Sequence, residues 1–189
     1  MMDWESKSPM GDLKTIFIKF MSTQIIFRST FITFEREFRQ LNEAWISKYF
    51  RLEESDKLLL SNPQKYILDK GGNIFLALQD GRVVGCCALL VHDIYTCELA
   101  KMVVDPSAQG KGIGSLLGTA LIEKARQRGF KRVILEGNTK MAASISLYRK
   151  LGFQEIPFNK VEQTHDLHSR CNIFMEHNLT PLITPEFYI

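Results

Sequence analysis

Between Thr33 and Tyr49, apolar side chains fall at Phe34, Phe38, Leu41, Trp45, Ile46 and Tyr49. Spacings of mostly three and four gather them into one stripe, which predicts an amphipathic helix. Gln24 to Ile32 is rich in β-branched and aromatic residues and predicts a strand before it. Glu53 to Leu60 and Pro63 to Leu68 predict two shorter helical stretches, the second closed by Gly71-Gly72. A hairpin follows: Asn73 to Leu78, an Asp80-Gly81 turn, then Arg82 to His92. Cys97 to Val104 predicts a third strand in this run. Ile113, Leu116, Leu117, Ala120, Leu121 and Ala125 form the stripe of a strong helix over Lys111 to Arg128, ended by Gly129. The chain then reads as a strand (Arg132–Gly137), a helix (Met141–Leu151), a strand (Phe153–Phe158), a polar loop (Val161–Arg170) and a last strand (Asn172–Asn178). The order β-α-α-β-β-β-α-β-α-β-β predicts a mixed α/β fold, its central sheet mostly antiparallel and flanked by helices.

Ahead of this domain, taken as residues 23–189, residues 1–22 read as an extension. Leu13, Ile16, Phe17 and Phe20 there have the spacing of a short amphipathic helix. The start lacks a basic stretch followed by an apolar one, so no secretory signal is read. A length of 189 residues suits one domain with its own core. The charge of +3, with 24 Lys and Arg against 21 Asp and Glu and no basic run, gives no reason to expect nucleic acid. No apolar run approaches the ~18 residues of a membrane span. Four cysteines, Cys86, Cys87, Cys97 and Cys171, have neither zinc nor disulfide spacing. Reduced, buried thiols and a cytoplasmic protein are the expectation.

The chemistry concentrates in MVVDPSAQGKGIGS, Met102 to Ser115. Asp105-Pro106 breaks the strand, and Gln109, Gly110, Lys111, Gly112, Ile113 and Gly114 lead straight into the following helix. Glycines let successive backbone N–H groups face one concavity, and the helix adds its unpaired first-turn N–H groups and positive dipole end. This is an anion site suited to a pyrophosphate, with Lys111 beside it. The same string also reads as a plain glycine-rich connection. No GxxxxGK[ST] string occurs. A dinucleotide fingerprint fits poorly, because DPSAQ separates the glycines from the strand, although Glu136 lies about 20 residues on, where a ribose-binding acid would fall.

QGKGIG after MVVDPSA resembles the [QR]-x-x-G-x-[GA] motif of the GNAT superfamily of acyl-CoA N-acyltransferases, with Gln109, Gly112 and Gly114 at the fixed positions. ISLYRKLGF, Ile145 to Phe153, resembles that superfamily's A-x-x-L-Y-x-x-x-G-F stretch, with Ser144 in place of the alanine. The resemblance spans roughly Asn73 to Ile156. It implies a sheet splayed between the Cys97–Val104 and Arg132–Gly137 strands, holding acetyl-CoA in the gap. Pantetheine amides would pair with the backbone of Met102 and Val104, and the pyrophosphate would sit on the N–H groups from Gln109 to Ser115. A backbone N–H near Val103 would polarise the thioester carbonyl. Many relatives have an Asn where this chain has Met141, so Asn138 is the nearby candidate for a coenzyme contact.

Two catalytic candidates follow. Alternation puts Glu98, Ala100, Met102 and Val104 on one strand face, where a carboxylate is unusual. The resemblance implies a general base for Glu98, acting usually through water; the plain alternative is a strand-end carboxylate that reaches solvent or pairs with Lys101 or an arginine. Tyr148 is implied as the acid that protonates the departing thiolate, against a packing tyrosine with its hydroxyl at the rim. His165, Asp166, His168 and Cys171 lack metal-ligand spacing, so no metal is assigned, and their loop reads as a substrate rim. The leading reading is an acetyl-CoA-dependent N-acetyltransferase acting on a primary amine by direct attack, and its relatives imply that two copies can pair as a homodimer. A non-catalytic acyl-CoA-binding module and a nucleotide-binding oxidoreductase are the alternatives.

Overall fold

A computed structural model describes the backbone of residues 23–28 and all atoms of residues 34–157 and 168–179. The helical spacing at Leu13 to Phe20, in a stretch expected to be a loosely attached terminus, and His165 and Asp166 of the polar loop lie outside the described residues.

Seven strands form one sheet in the order β1-β2-β3-β4-β5-β7-β6. They are β1 (Thr23–Arg28), β2 (Asn73–Gln79), β3 (Arg82–Val91), β4 (Thr96–Val104), β5 (Arg132–Gly137), β6 (Gln154–Ile156) and β7 (Ile173–Asn178). Every neighbouring pair is antiparallel except β4 and β5. The helices are α1 (Glu35–Tyr49), α2 (Glu54–Ser61), α3 (Ile113–Gln127) and α4 (Ala142–Lys150), with a π-helical turn at Gln64–Leu68. The mixed α/β fold expected from the sequence is the one observed. Of the expected strand Phe153–Phe158, β6 covers Gln154–Ile156; Phe153 is buried in the core ahead of it, and Phe158 lies outside the described residues.

Strand alternation sends side chains to two cores. One core holds Cys87, Leu89, Val133, Leu135 and Met175 under Leu117 and Leu121 of α3 and Ile145 of α4. The other holds Ile74, Leu76, Cys86 and Ala88 under Phe38 and Ile46 of α1 and Leu60 of α2. The adjacent Cys86 and Cys87 thus enter opposite cores, both as free buried thiols, and burial pushes the Cys86 thiol up to about 12.

Two departures from a regular sheet shape the site. First, β4 and β5 pair only over Thr96 to Glu98 against Arg132 to Ile134. From Leu99 onward the β5-facing edge of β4 has no strand partner among the described residues, which is the splay that the resemblance implied. Second, β4 carries a bulge. Cys86 pairs with Val103 and Ala88 with Ala100, so three steps along β4 match two along β3. Lys101 takes the extra position with φ of 51°. This corrects the alternation read from the sequence. Glu98 and Ala100, opposite Leu90 and Ala88, face the α1 side, whereas Met102 and Val104 pack on the α3 side. A period of two cannot survive a residue that occupies a strand without being paired.

Candidate active site

The strand β4 ends at Asp105, whose side chain accepts from the Ser107 N–H at 2.9 Å and so starts a short 3-10 turn over Pro106–Ala108. Gln109 then donates from Nε2 to the Val104 carbonyl at 2.9 Å and closes the turn onto the strand it left. Gly110 and Gly112 have φ of 76° and 77°, and nothing lies within 4 Å of the place a Cβ would take at either. They are therefore required by backbone conformation rather than by crowding. The first α3 hydrogen bond runs from Leu116 N–H to Gly112 O at 3.1 Å. The N–H groups of Gly110 to Ser115 make no hydrogen bond among the described residues. They form an array of donors at the positive end of a fifteen-residue helix.

A groove runs from this turn between β4 and α4, lined by Met102, Val103, Val104, Gln109, Gly110, Gly112, Ile113 and Gly114 on one side and by Lys140 to Ser144, Leu147 and Tyr148 on the other. Ile113 contributes backbone alone, since its side chain is buried in the core. Lys111 and Ser115 do not line the groove. Lys111 donates from Nζ to the Ser107 carbonyl at 3.2 Å, and Ser115 is exposed on the first turn of α3. Gly114 serves packing, because a Cβ there would come within 2.9 Å of Leu147 on α4.

The groove meets a second cavity at Trp45, Met102, Met141, Ser144 and Tyr148, which line both. This cavity passes through the splay, bounded by α1 over one face of the sheet and by α4 over the other. Glu98, buried at its wall, hydrogen-bonds through Oε2 to His92 Nε2 at 2.8 Å. Its Oε1 has no partner among the described residues. Neither partner foreseen for a structural role takes Glu98. Lys101 reaches across to Asp56 instead, at 2.5 Å.

Asp56 organises the rest of the wall. It is the third residue of α2, where it accepts from the Glu53 backbone N–H at 3.1 Å in a reciprocal capping box. It is fully buried and also receives Lys101 Nζ, both Arg170 terminal nitrogens at 2.7 and 2.9 Å, and His168 Nε2 at 3.3 Å. Burial alone would raise its carboxyl, but the bonds from His168, Arg170 and Lys101 hold it far below the usual carboxylate range. His168 also places Nδ1 3.0 Å from Glu136 Oε2, while its backbone N–H donates to the same oxygen at 3.2 Å. Burial opposes the imidazolium, yet the bonds to Asp56 and Glu136 outweigh it and raise its pKa. The thiol of Cys171 is pushed up to about 12 by burial, with the Glu136 carboxylate adding to it. Ligand atoms of Glu136, His168 and Cys171 lie within 4.8 Å of one another. A metal would need a lone pair on His168, whereas both ring nitrogens face carboxylates beside two cations, an arrangement that holds a proton.

Tyr148 stands where groove and cavity join, its ring edge-on to Phe153 at 6.1 Å. Its hydroxyl donates no hydrogen bond among the described residues, and burial raises its pKa well above the usual phenol value. Asn138 lines the cavity but has its amide committed to the Arg170 carbonyl and the Lys140 N–H, so it fastens the loop before β7 to the end of β5. The structure thus brings Glu98, Tyr148, Met102 and the glycine turn around one continuous space. It adds Lys101 and Glu136 to the wall, with Asp56 buried behind it, none of which sequence reasoning assigned to the site, while Arg170 belongs to the loop read as a substrate rim. The acid three residues into α2 was the one available signal for Asp56, and it reads as an ordinary cap.

The model of the Acetyltransferase (GNAT) family matches residues 34–153. An Escherichia coli (strain K12) protein named uncharacterized N-acetyltransferase YjgM is 38% identical over 82 residues, 42% of this chain and 49% of that protein. The N-acetylaspartate synthetase of Rattus norvegicus is 35% identical over 94 residues, 49% of this chain and 31% of that protein. The chain therefore spans about half the length of the first of these relatives and about a third of the second. Among solved structures, a GNAT-family acetyltransferase from Staphylococcus aureus superposes with a TM-score of 0.75 at 21% identity, covering 82% of this chain and 99% of that one. A GNAT-family acetyltransferase from Elizabethkingia anophelis with acetyl-CoA bound superposes with a TM-score of 0.60 at 21% identity, covering 84% and 99%.

Proposed function

The chain belongs to the GNAT family of acetyltransferases, and on that premise we propose that it moves an acetyl group from acetyl-CoA to a primary amine by direct attack in a ternary complex. The observation that carries this reading is the Glu98 carboxylate, with one oxygen on His92 and the other unpartnered at the cavity that adjoins the glycine-turn groove. The N–H groups of Gly110, Gly112, Ile113 and Gly114 would hold the pyrophosphate, with the groove along Met102 to Val104 taking the pantetheine. The acetyl-CoA in the Elizabethkingia structure supports acetyl as the donor group.

An ammonium has no lone pair, so the acceptor first loses a proton, to Glu98 Oε1 directly or through water. The free amine attacks the thioester carbonyl. A C–N bond forms, the C–S bond breaks, and the electron pair leaves on sulfur. A backbone N–H of the unpaired β4 edge near Val103 polarises the carbonyl. Tyr148 gives its proton to the thiolate, and its raised pKa keeps the hydroxyl protonated until then. No cysteine takes part: Cys86 and Cys87 are sealed in the cores, and Cys171 is held as a thiol.

The test is acetyl-CoA consumption across a library of amines, with Gly112→Asp as the donor-site control. The variant adds a charged side chain to an open surface at the anion site, so it should fold and lose CoA binding. A folded Gly112→Asp protein with unchanged CoA affinity by calorimetry would overturn the groove assignment.

A further inference from the structure

The reading above leaves the acceptor unnamed, and the wall of the cavity narrows it. Lys101, His168 and Arg170 are the cations that line it. Each of them is already bound to the fully buried Asp56. Arg170 also reaches Glu53 at 3.1 Å, and His168 is bonded to Glu136 on its other nitrogen. Around the same space stand four carboxylates, Glu53, Asp56, Glu98 and Glu136. Of the two that line it, Glu136 is already taken by His168, with the Cys171 thiol beside it, whereas Glu98 has an oxygen left. The remaining wall mixes apolar and aromatic side chains, among them Trp45 of α1, Phe50 just after it and Met102, with the polar Asn42, Asn138 and Ser144.

From this we infer that the acceptor is a monoamine on an apolar body with no carboxylate of its own, and that Asp56 sets this preference by holding Lys101, His168 and Arg170 away from the substrate. The inference rests on the acetyltransferase reading of the same site. An acceptor carboxylate entering the cavity would lose its water, find the cations already engaged, and lie near two like charges. An ammonium meets the free oxygen of Glu98, and the rest of its body meets rings and aliphatic side chains. A second ammonium on the same molecule would find Glu136 occupied, so a diamine gains nothing over a monoamine. The two curated relatives described above do not decide the matter, since the chain matches only part of each.

The experiment compares acceptors that share one body at saturating acetyl-CoA. One set is phenethylamine, phenylalaninamide and phenylalanine; an aliphatic set is isopentylamine, leucinamide and leucine. The amide controls for the size of the carboxylate without its charge. The expected result is kcat/KM at least about tenfold lower for the acid than for the amide in each set, the penalty of an unpaired charge in a closed site. An acid turned over as well as its amide would overturn the inference while leaving the acetyltransferase reading intact. Turnover of none of these six while another amine of the library is acetylated would also overturn the inference alone; a CoA-binding protein that acetylates no amine of the library would remove both.

Two variants extend the test. Asp56→Asn should release the cations and narrow the amide-to-acid ratio. Because Asp56 is a buried hub whose loss threatens the fold, Lys101→Met provides the second reading. If Lys101 is committed to Asp56, this change leaves the amide-to-acid ratio where it was. A selective loss of acid turnover in Lys101→Met would show the ammonium holding an acceptor carboxylate, against the inference.

Discussion

Glu98 divides its two oxygens between a neighbour and the cavity, and that division makes a specific forecast. Glu98→Gln keeps the shape and the His92 contact but cannot take a proton. We expect kcat to fall by ~10²–10⁴ with CoA affinity little changed, the usual size of a general-base loss. Stopped-time assays beside calorimetry would check it, and near-wild-type turnover across pH would mean that water alone suffices. Tyr148→Phe removes only a hydroxyl, and the Phe153 contact is kept. A thiolate with pKa near ~8.5 leaves without full protonation. The expected cost is therefore smaller, about one to two orders of magnitude in kcat with an unchanged melting curve. Both residues were singled out from the sequence because each sits in or beside a short motif whose spacing is local, and both line the one cavity. Asp56, Lys101 and Arg170 were not legible as a group. They come from α2, β4 and the loop before β7, and nothing along the chain marks that a buried carboxylate will gather them. The face of Met102 was misjudged for a related reason: a bulge at Lys101 leaves no trace in hydrophobic alternation.

At the scale of elements, the strand-turn-helix unit from β4 to α3 was read nearly to its boundaries. Its glycines, however, do different work. Gly112 caps α3 from the left-handed region with open space around it, so Gly112→Ala should cost about 1–2 kcal/mol through backbone strain alone. Gly114 approaches Leu147 within a flexible side chain's reach, so Gly114→Ala should cost less than about 1.5 kcal/mol as the leucine shifts. Melting curves of the two variants would separate a conformational requirement from a packing one. If Gly114→Ala proved the more damaging, the α3–α4 contact would be stiffer than its atoms suggest. The splay between β4 and β5 was expected from the family resemblance alone. No rule of strand propensity predicts that two parallel strands pair for three residues and then part.

For the whole molecule, the Asp56 network couples stability to pH at both ends. The folded pKa of Asp56 is depressed, so its contribution is present above the unfolded value near ~4 and is lost as pH falls below it. The folded pKa of His168 is raised, so its contribution is complete below ~6.5 and is lost as pH rises through the folded value. We expect the melting temperature to decline on both sides of this window. Asp56→Asn should flatten the acid decline and weaken the alkaline one, as read by calorimetric scans from pH 3 to pH 9. Asp56→Ala should cost about 3–5 kcal/mol, because it strands buried cations without a partner. A melting curve insensitive to either change would remove the network from the fold's supports. Composition had suggested only a near-neutral, single-domain protein, and no helix among the described residues is long and apolar enough to cross a membrane.

On the proposed reading, the splayed strands also govern traffic. A closed sheet would be a partition, with a nucleotide docked on one side unable to touch anything on the other. Here the gap beyond Glu98 is a window in that partition, with the glycine turn on one approach and the α1 side on the other. Donor and acceptor need not queue at a single doorway, and neither product must wait for the other to clear its path. The kinetic signature of such a layout is product inhibition by CoA that is competitive with acetyl-CoA and noncompetitive with the amine. Competition between CoA and the amine would mean that both arrive by one entrance, and that the window serves chemistry but not passage.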